Sequence, residues 1–268
     1  MWSAIADGVG GMIATVVVGA VIMIAGAALE RRWPATPQDN AGLRLNLAYF
    51  ASASVLQALL RPLPALATAV AVRASGGGWI PLPDRGAGFI AGAAIYLVAT
   101  DAGEYLFHRA QHAMPWLWSM HSLHHSDEAF GVSTTVRHFW LESSIKSCTI
   151  YLAVALMFRV PQNILQIYAI VSYYNYFSHA NLRIGFGRWS FVVNSPQYHR
   201  LHHSRVVTER ECNFAAILPI FDVLTGAYLR PQRDAFPPTG LWDGATALTL
   251  SDALTWPVRG VLHRTNAG

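Results

Sequence analysis

The chain has 268 residues, 53% of them apolar and only 13% charged, with a formal net charge of +4. Ordinary soluble domains carry about 25% charged residues, so this balance excludes a simple water-soluble globule and points to lipid. The basic residues are dispersed among apolar runs, which excludes a nucleic-acid footprint and fits contact with an anionic membrane face.

The first run, Gly11 to Leu29, is uncharged over 19 residues and spans about 28 Å, close to the hydrocarbon thickness. It stops at Glu30-Arg31-Arg32, and no basic residue precedes it, so it reads as a span and not as a cleavable signal. The second run, Leu45 to Val72, contains Arg61-Pro62 and Pro64 and is expected to kink or break there. Ala74 to Asp84 is Gly/Pro-rich and reads as an external turn. The third run, Ala87 to Phe107, leads directly into His108. The fourth and fifth, Ser144 to Phe158 and Gln162 to Ser178, meet at Arg159-Val160-Pro161. The fourth has 15 residues and reaches only about 22 Å. The pair reads as a helical hairpin that does not cross completely, with Lys146 snorkelling at its base. Cys212 to Tyr228 is aromatic and apolar and is expected to pack under the site. Ala247 to His263 reads as a weak interfacial helix broken by Pro257.

Basic residues set the expected orientation. With the N-terminus outside, Arg61 lies in the membrane and Arg73, Arg85 and Arg159 lie outside. The other fifteen of the 19 Lys and Arg then lie inside, as the positive-inside rule favours. The expected fold is therefore all-α: a polytopic membrane helical bundle of about three full spans plus a helical hairpin, carrying a cytoplasmic histidine-rich cap. Its expected parts are a transmembrane region over 1–86, a histidine-rich domain over 87–228 and a cytoplasmic tail over 229–268.

Ten of the eleven histidines fall between His108 and His203. His108 and His112 are one helical turn apart and aim the same way. His121, His124 and His125 repeat that logic in HSLHH, as do His199, His202 and His203 in HRLHH. Asp101 and Glu104 continue the stripe of His108 and are candidates for orienting imidazoles. Imidazole suits iron, zinc, copper or nickel. Four ligands close one structural zinc site, so eight in three boxes, with His138 and His179 as further candidates, point to a two-metal centre. The bland reading is a set of core histidines. It fails on number, because each buried imidazole left without a partner costs about 1–3 kcal/mol. His263 reads as a surface residue. Cys148 and Cys212 form no C-x-x-C pair, so no disulfide framework or iron–sulfur site is expected.

HRAQH, HSLHH and HRLHH on this membrane scaffold resemble the fatty acid hydroxylase superfamily, the sterol desaturase-like membrane di-iron enzymes. The likeness covers roughly Asp101 to Tyr228. It includes the D-x-x-x-Y-x-x-H-R lead-in at Asp101, T-x-R-H at Thr135 to His138, and N-F…F-D-x-L-x-G at Asn213 to Gly226. Ala215 stands where the family usually has glycine, and Thr225–Ala227 replaces a usual FGT; both bear on substrate fit. The resemblance implies two iron ions, with zinc as a possible surrogate in recombinant protein, O2 as co-substrate, and oxidation of an unactivated C–H bond in a sterol, fatty acyl or related lipid. Desaturation or ether-lipid cleavage on the same centre is the alternative. Arg109 and Arg137 are expected to hold carboxylates or a lipid headgroup, and Tyr168–Phe177 to line a substrate tunnel. No haem-attachment, cysteine-cluster or dinucleotide motif is present, so electrons are expected from a separate ferredoxin, rubredoxin or cytochrome with its reductase. A membrane metal transporter would string ligands across the bilayer, and a di-haem cytochrome would pair histidines within facing spans.

Overall fold

The structure, a computed structural model, describes residues 2–37, 41–206, 208–209 and 211–258. His263 and the end of the stretch expected as an interfacial helix lie outside the described residues. The chain is mostly helical. Helix α1 covers Trp2–Arg32, α2 Ala41–Leu60, α3 Pro62–Ala74 and α4 Gly86–Ala113. Three segments are long and apolar enough to cross a membrane: Ile13–Arg32, Gly42–Leu60 and Gly86–Ala113. Val21, Leu59 and Ile90 are exposed on their outer faces, the arrangement expected where lipid replaces water. The second apolar run breaks as its prolines predict: Pro62 and Pro64 have no N–H to give, and α3 begins at Pro62.

Helix α5 (Pro115–His125) follows α4 after a single extended residue, Met114. Helix α6 (Glu142–Lys146) passes through a π-turn over Ser147–Tyr151 into α7 (Leu152–Met157). After Pro161 the chain returns as α8 (Gln162–Ser172) and α9 (Tyr174–Ser178). This is the expected hairpin, and it closes by a parallel pairing of Ile80–Pro81 with Phe158–Arg159. Gly103 of α4 lets the π-turn come close: a Cβ there would stand 2.4 Å from Ile150 Cγ2. The main core, with Tyr49, Phe107, Leu123, Phe139, Ile150 and Ile164, sits between α2, α4, α5 and this hairpin.

Two expectations are corrected. Lys146 does not snorkel to a surface; it points inward, 2.6 Å from Glu104 Oε2, because a partner carboxylate inside the bundle compensates its charge. The tail helix α12 (Leu250–Leu254) is capped reciprocally by Thr249 and Asp252 and packs on the protein. Leu250, Leu254 and Trp256 meet the main core. Trp140 Nε1 donates to the Leu254 carbonyl at 3.1 Å, and Trp256 Nε1 to Ser122 Oγ at 2.9 Å.

Candidate metal centre

Three helix segments deliver the histidine boxes: the last turns of α4, all of α5, and α10 (Pro196–His202). Ser195 caps α10 by accepting from Tyr198 N–H at 3.2 Å, and Pro196 occupies its first turn. The late N-F…F-D motif aims two rings. Asn213 adopts φ 56°, a left-handed conformation that asparagine tolerates better than most residues, and Asn213 Oδ1 accepts the Leu229 N–H at 2.8 Å. Asp222, fully buried on the short helix α11 (Ile220–Thr225), accepts the N–H groups of Phe214 and Ala215 and the Tyr198 hydroxyl. The carbonyls on this rigid segment then receive ring protons: His202 Nδ1 lies 2.8 Å from the Cys212 carbonyl and His108 Nδ1 lies 2.7 Å from the Phe214 carbonyl. The expectation that Cys212–Tyr228 packs under the site agrees with this.

Those bonds decide tautomers. A ring whose Nδ1 gives its proton to a carbonyl carries a lone pair on Nε2. His108 Nε2 and His202 Nε2 nevertheless face each other at 2.9 Å. His179 Nδ1 lies 2.7 Å from the Asn175 carbonyl, while its Nε2 is 3.1 Å from His124 Nε2 and 3.0 Å from His199 Nε2. For His108 and His202, whose Nδ1 protons both go to carbonyls, the facing lone pairs repel unless a proton or a cation lies between them. Protonation is opposed by burial, which pushes His179 and His121 down to about 3. Burial and then neighbouring imidazoles hold His124, His125, His199 and His203 well below the usual imidazole value. Two nitrogens about 2.1 Å from one ion at a right angle sit about 3 Å apart. The donor set therefore fits metal ions.

The rings form adjoining groups. Donor atoms of His108, His112, His121, His125 and His202 lie within 4.8 Å of one another, and so do those of His124, His179, His199 and His203. His121 also belongs to a third group with His138 and Glu142. Stacking of His125 on His203 at 4.3 Å joins the two larger groups, and stacking of His138 on His124 at 4.0 Å joins the third group to the four-histidine one. All ten histidines singled out from the sequence are thus brought together.

The two carboxylates singled out with them line the cavity beside the rings but hold no imidazole. Asp101 accepts the N–H groups of Ile217 and Leu218 at 3.1 and 2.9 Å, and Glu104 binds Lys146 and Tyr151. Neither reaches an imidazole, because each lies further back along α4 and meets a different element. The carboxylate that does so is Glu142, whose Oε2 lies 3.4 Å from His121 Nδ1 and 3.2 Å from His138 Nδ1 and accepts Gln111 Nε2 at 2.5 Å. Its spacing of four from His138 was the available signal. Arg137 is buried and holds Asp127 at 3.5 Å, so it serves a carboxylate. Asp127 also accepts from Asn46 and Thr134, tying the loop after α5 to α2.

Space exists on both sides of the rings. A cavity of about 250 Å³ is lined by His108, His124 and His179 together with Lys146, Tyr168 and Asn175. On the far side a cleft of about 170 Å³ reaches His112 and His125 past Trp118, Glu211 and Trp242.

Apolar helices and a nest of imidazoles beside a cavity define a histidine-rich membrane protein whose clustered rings fit a metal site. The chain belongs to the fatty acid hydroxylase family, whose model matches residues 93–227, just over half of its length. It is 29% identical over 145 residues to the ornithine lipid hydroxylase of Rhizobium tropici, a stretch covering 54% of this chain and 44% of that protein. It is 30% identical over 138 residues to the alkylglycerol monooxygenases of Danio rerio and Homo sapiens. That stretch covers 51% and 49% of this chain and 30% and 29% of those proteins. The chain thus matches less than half the length of these relatives. No solved structure matches it at a significant level.

Proposed function

We propose that the chain is a membrane-bound, O2-dependent lipid hydroxylase whose imidazoles hold two iron ions on the cytoplasmic face. The observation that carries this reading is the pair of adjoining histidine groups opening onto one cavity. His108, His112, His121, His125 and His202 would hold one ion, and His124, His179, His199 and His203 the other, with His138 and Glu142 between them. When bound, such ions supply the activation of dioxygen that attack on an unactivated C–H bond requires. The chain's own groups orient the rings through backbone carbonyls and Glu142, and the protein around the cavity limits the approach of water. Zinc would fit the same nitrogens in recombinant protein; iron is assigned through the family.

The rings gather at the C-terminal end of α4 rather than strung along a span, which speaks against a transport path. The relatives' names join a lipid hydroxylase with an ether-lipid monooxygenase, so hydroxylation at a carbon next to oxygen, ending in ether cleavage, belongs to the same proposal. The catalytic unit is taken as 87–228. Electrons come from a separate ferredoxin, rubredoxin or cytochrome with its reductase, and the cleft at His112 and His125 offers the approach from the cytoplasm. The test compares lipids of cells carrying the intact chain or His124→Ala under isotopically labelled oxygen gas. One lipid class gaining label only with the intact chain is the expected result; no label in any lipid under conditions that support electron supply would overturn the assignment.

A further inference from the structure

A charged pair in the wall of the histidine cavity takes no part in holding the imidazoles. Lys146 Nζ lies 2.6 Å from Glu104 Oε2, Tyr151 donates to Glu104 Oε1 at 2.5 Å, and Tyr168 donates to Tyr151 at 3.4 Å. All four side chains line the same cavity as His108 and His124. Their surroundings are aromatic, with the Phe107 ring 5.6 Å from the ammonium and the Tyr96 ring edge-on to Tyr168. A largely buried ion pair is commonly no more stabilising than apolar residues filling the same space. Its retention in a cavity of this kind asks for a use.

Donor arithmetic narrows that use. An ammonium has three N–H groups; Glu104 takes one, and no other side-chain or backbone acceptor among the described residues takes the rest. Glu104 already neutralises the charge, so a second anion at Lys146 would meet a nearby carboxylate, whereas a neutral oxygen meets a donor without that repulsion.

Placement narrows it further. Glu104 precedes His108 by four residues of α4, a rise of about 6 Å. A second cavity, about 280 Å³, shares Thr135, His138, Lys146 and Tyr151 with the first and runs past Phe50 and Gln57 of α2 to the exposed Ser143. The first, at about 250 Å³, falls below the roughly 300–1,000 Å³ of pockets that enclose a drug-sized ligand. It is too small to enclose a whole long-chain lipid.

We propose that Lys146, braced by Glu104 and Tyr151, anchors a neutral oxygen of the lipid, whether hydroxyl, ether or carbonyl. Carbons within a few bonds of that oxygen then lie beside the imidazoles, and the long chain lies between α2 and α6. This rests on the proposed lipid-oxidising function and adds to it the class of substrate and the end of it that is presented.

The test uses the full chain in phosphatidylcholine nanodiscs and two hexadecanol probes, with a photoreactive diazirine beside the hydroxyl or beside the terminal methyl. A hexadecanoate probe carrying the diazirine beside the carboxylate is the third arm. The expected map has the hydroxyl-end probe crosslinked to peptides of α4, α5 and α9, the methyl-end probe to α2, and the hexadecanoate labelling the α4–α5 peptides more weakly. Removing Lys146 alone leaves Glu104 unpaired, so the variant is the neutral double replacement Glu104→Gln, Lys146→Met. Its hydroxyl-end labelling is expected to fall about tenfold, the loss of one hydrogen bond from a charged donor. Methyl-end label on the α4–α5 peptides, equal labelling by hexadecanoate, or an unchanged double variant would overturn the anchor. If the double variant does not fold, the map on the unaltered chain decides. Metal content measured on the same samples separates the two readings. Bound metal with misplaced label overturns only the anchor, and correct label without metal overturns only the metal centre.

Discussion

Glu142 is buried, and burial alone would raise its carboxyl; hydrogen bonds from His121 and His138 outweigh this and hold it well below the ordinary carboxylate range. Held ionised, it fixes the Nδ1 protons of both rings and leaves their Nε2 lone pairs for an ion, as carboxylates behind metal-binding imidazoles do. Glu142→Gln keeps the shape and removes the charge. Its metal affinity is expected to fall about 10–100-fold with helical content unchanged, measured by competition with a chelator; an affinity equal to that of the unaltered chain would contradict the role. Position in sequence directed attention to Asp101 and Glu104 instead, because they share a helix stripe with His108. A stripe gives direction from the axis and says nothing about which element stands opposite. Opposite Asp101 are the backbone N–H groups of Ile217 and Leu218, and opposite Glu104 is Lys146.

At the scale of elements, α5 and α10 are short helices whose inward faces are nearly all imidazole, and such faces carry a liability without metal. His121, His124, His125, His179, His199, His202 and His203 all have folded values depressed below the usual 6.5, first by burial. Between that value and about 3, where His121 and His179 lie, the unfolded chain binds more protons than the folded one, so stability falls as pH falls. Metal-free protein in detergent is expected to melt at progressively lower temperature as the pH is taken below about 6.5. A melting temperature flat or rising from pH 7.5 to 5.5 would contradict buried neutral rings. The elements themselves were largely legible: the apolar runs, the break at Arg61-Pro62, and the run of α4 into His108 all follow from residue order. The packing of α12 was not legible, since Leu250, Leu254 and Trp256 suit lipid and core alike. Only the partners Trp140 and Ser122, more than a hundred residues away, decide between them.

For the molecule as a whole, the proposed orientation places the loop after α3 outside and the tail inside. In a chain with Cys148→Ser, Ser75→Cys is expected to react with a membrane-impermeant maleimide on intact cells, and Asp243→Cys only after permeabilisation; the reverse pattern would invert the topology. Cys212 does not confuse the result, because burial pushes its thiol up to about 12. The histidine boxes were readable as ligand sets from spacing, whereas their division into adjoining groups of five and four, joined by the stacked rings of His125 and His203, required the fold. That division is what the account stands on, and metal stoichiometry reads it directly. Protein from iron-fed cells, analysed for metal per chain, is expected to hold two ions in the unaltered chain. His199→Ala should lose the ion of the four-histidine group first, and His202→Ala that of the five-histidine group. A single ion or none in the unaltered chain, or an unchanged content in both variants, would contradict a two-ion centre.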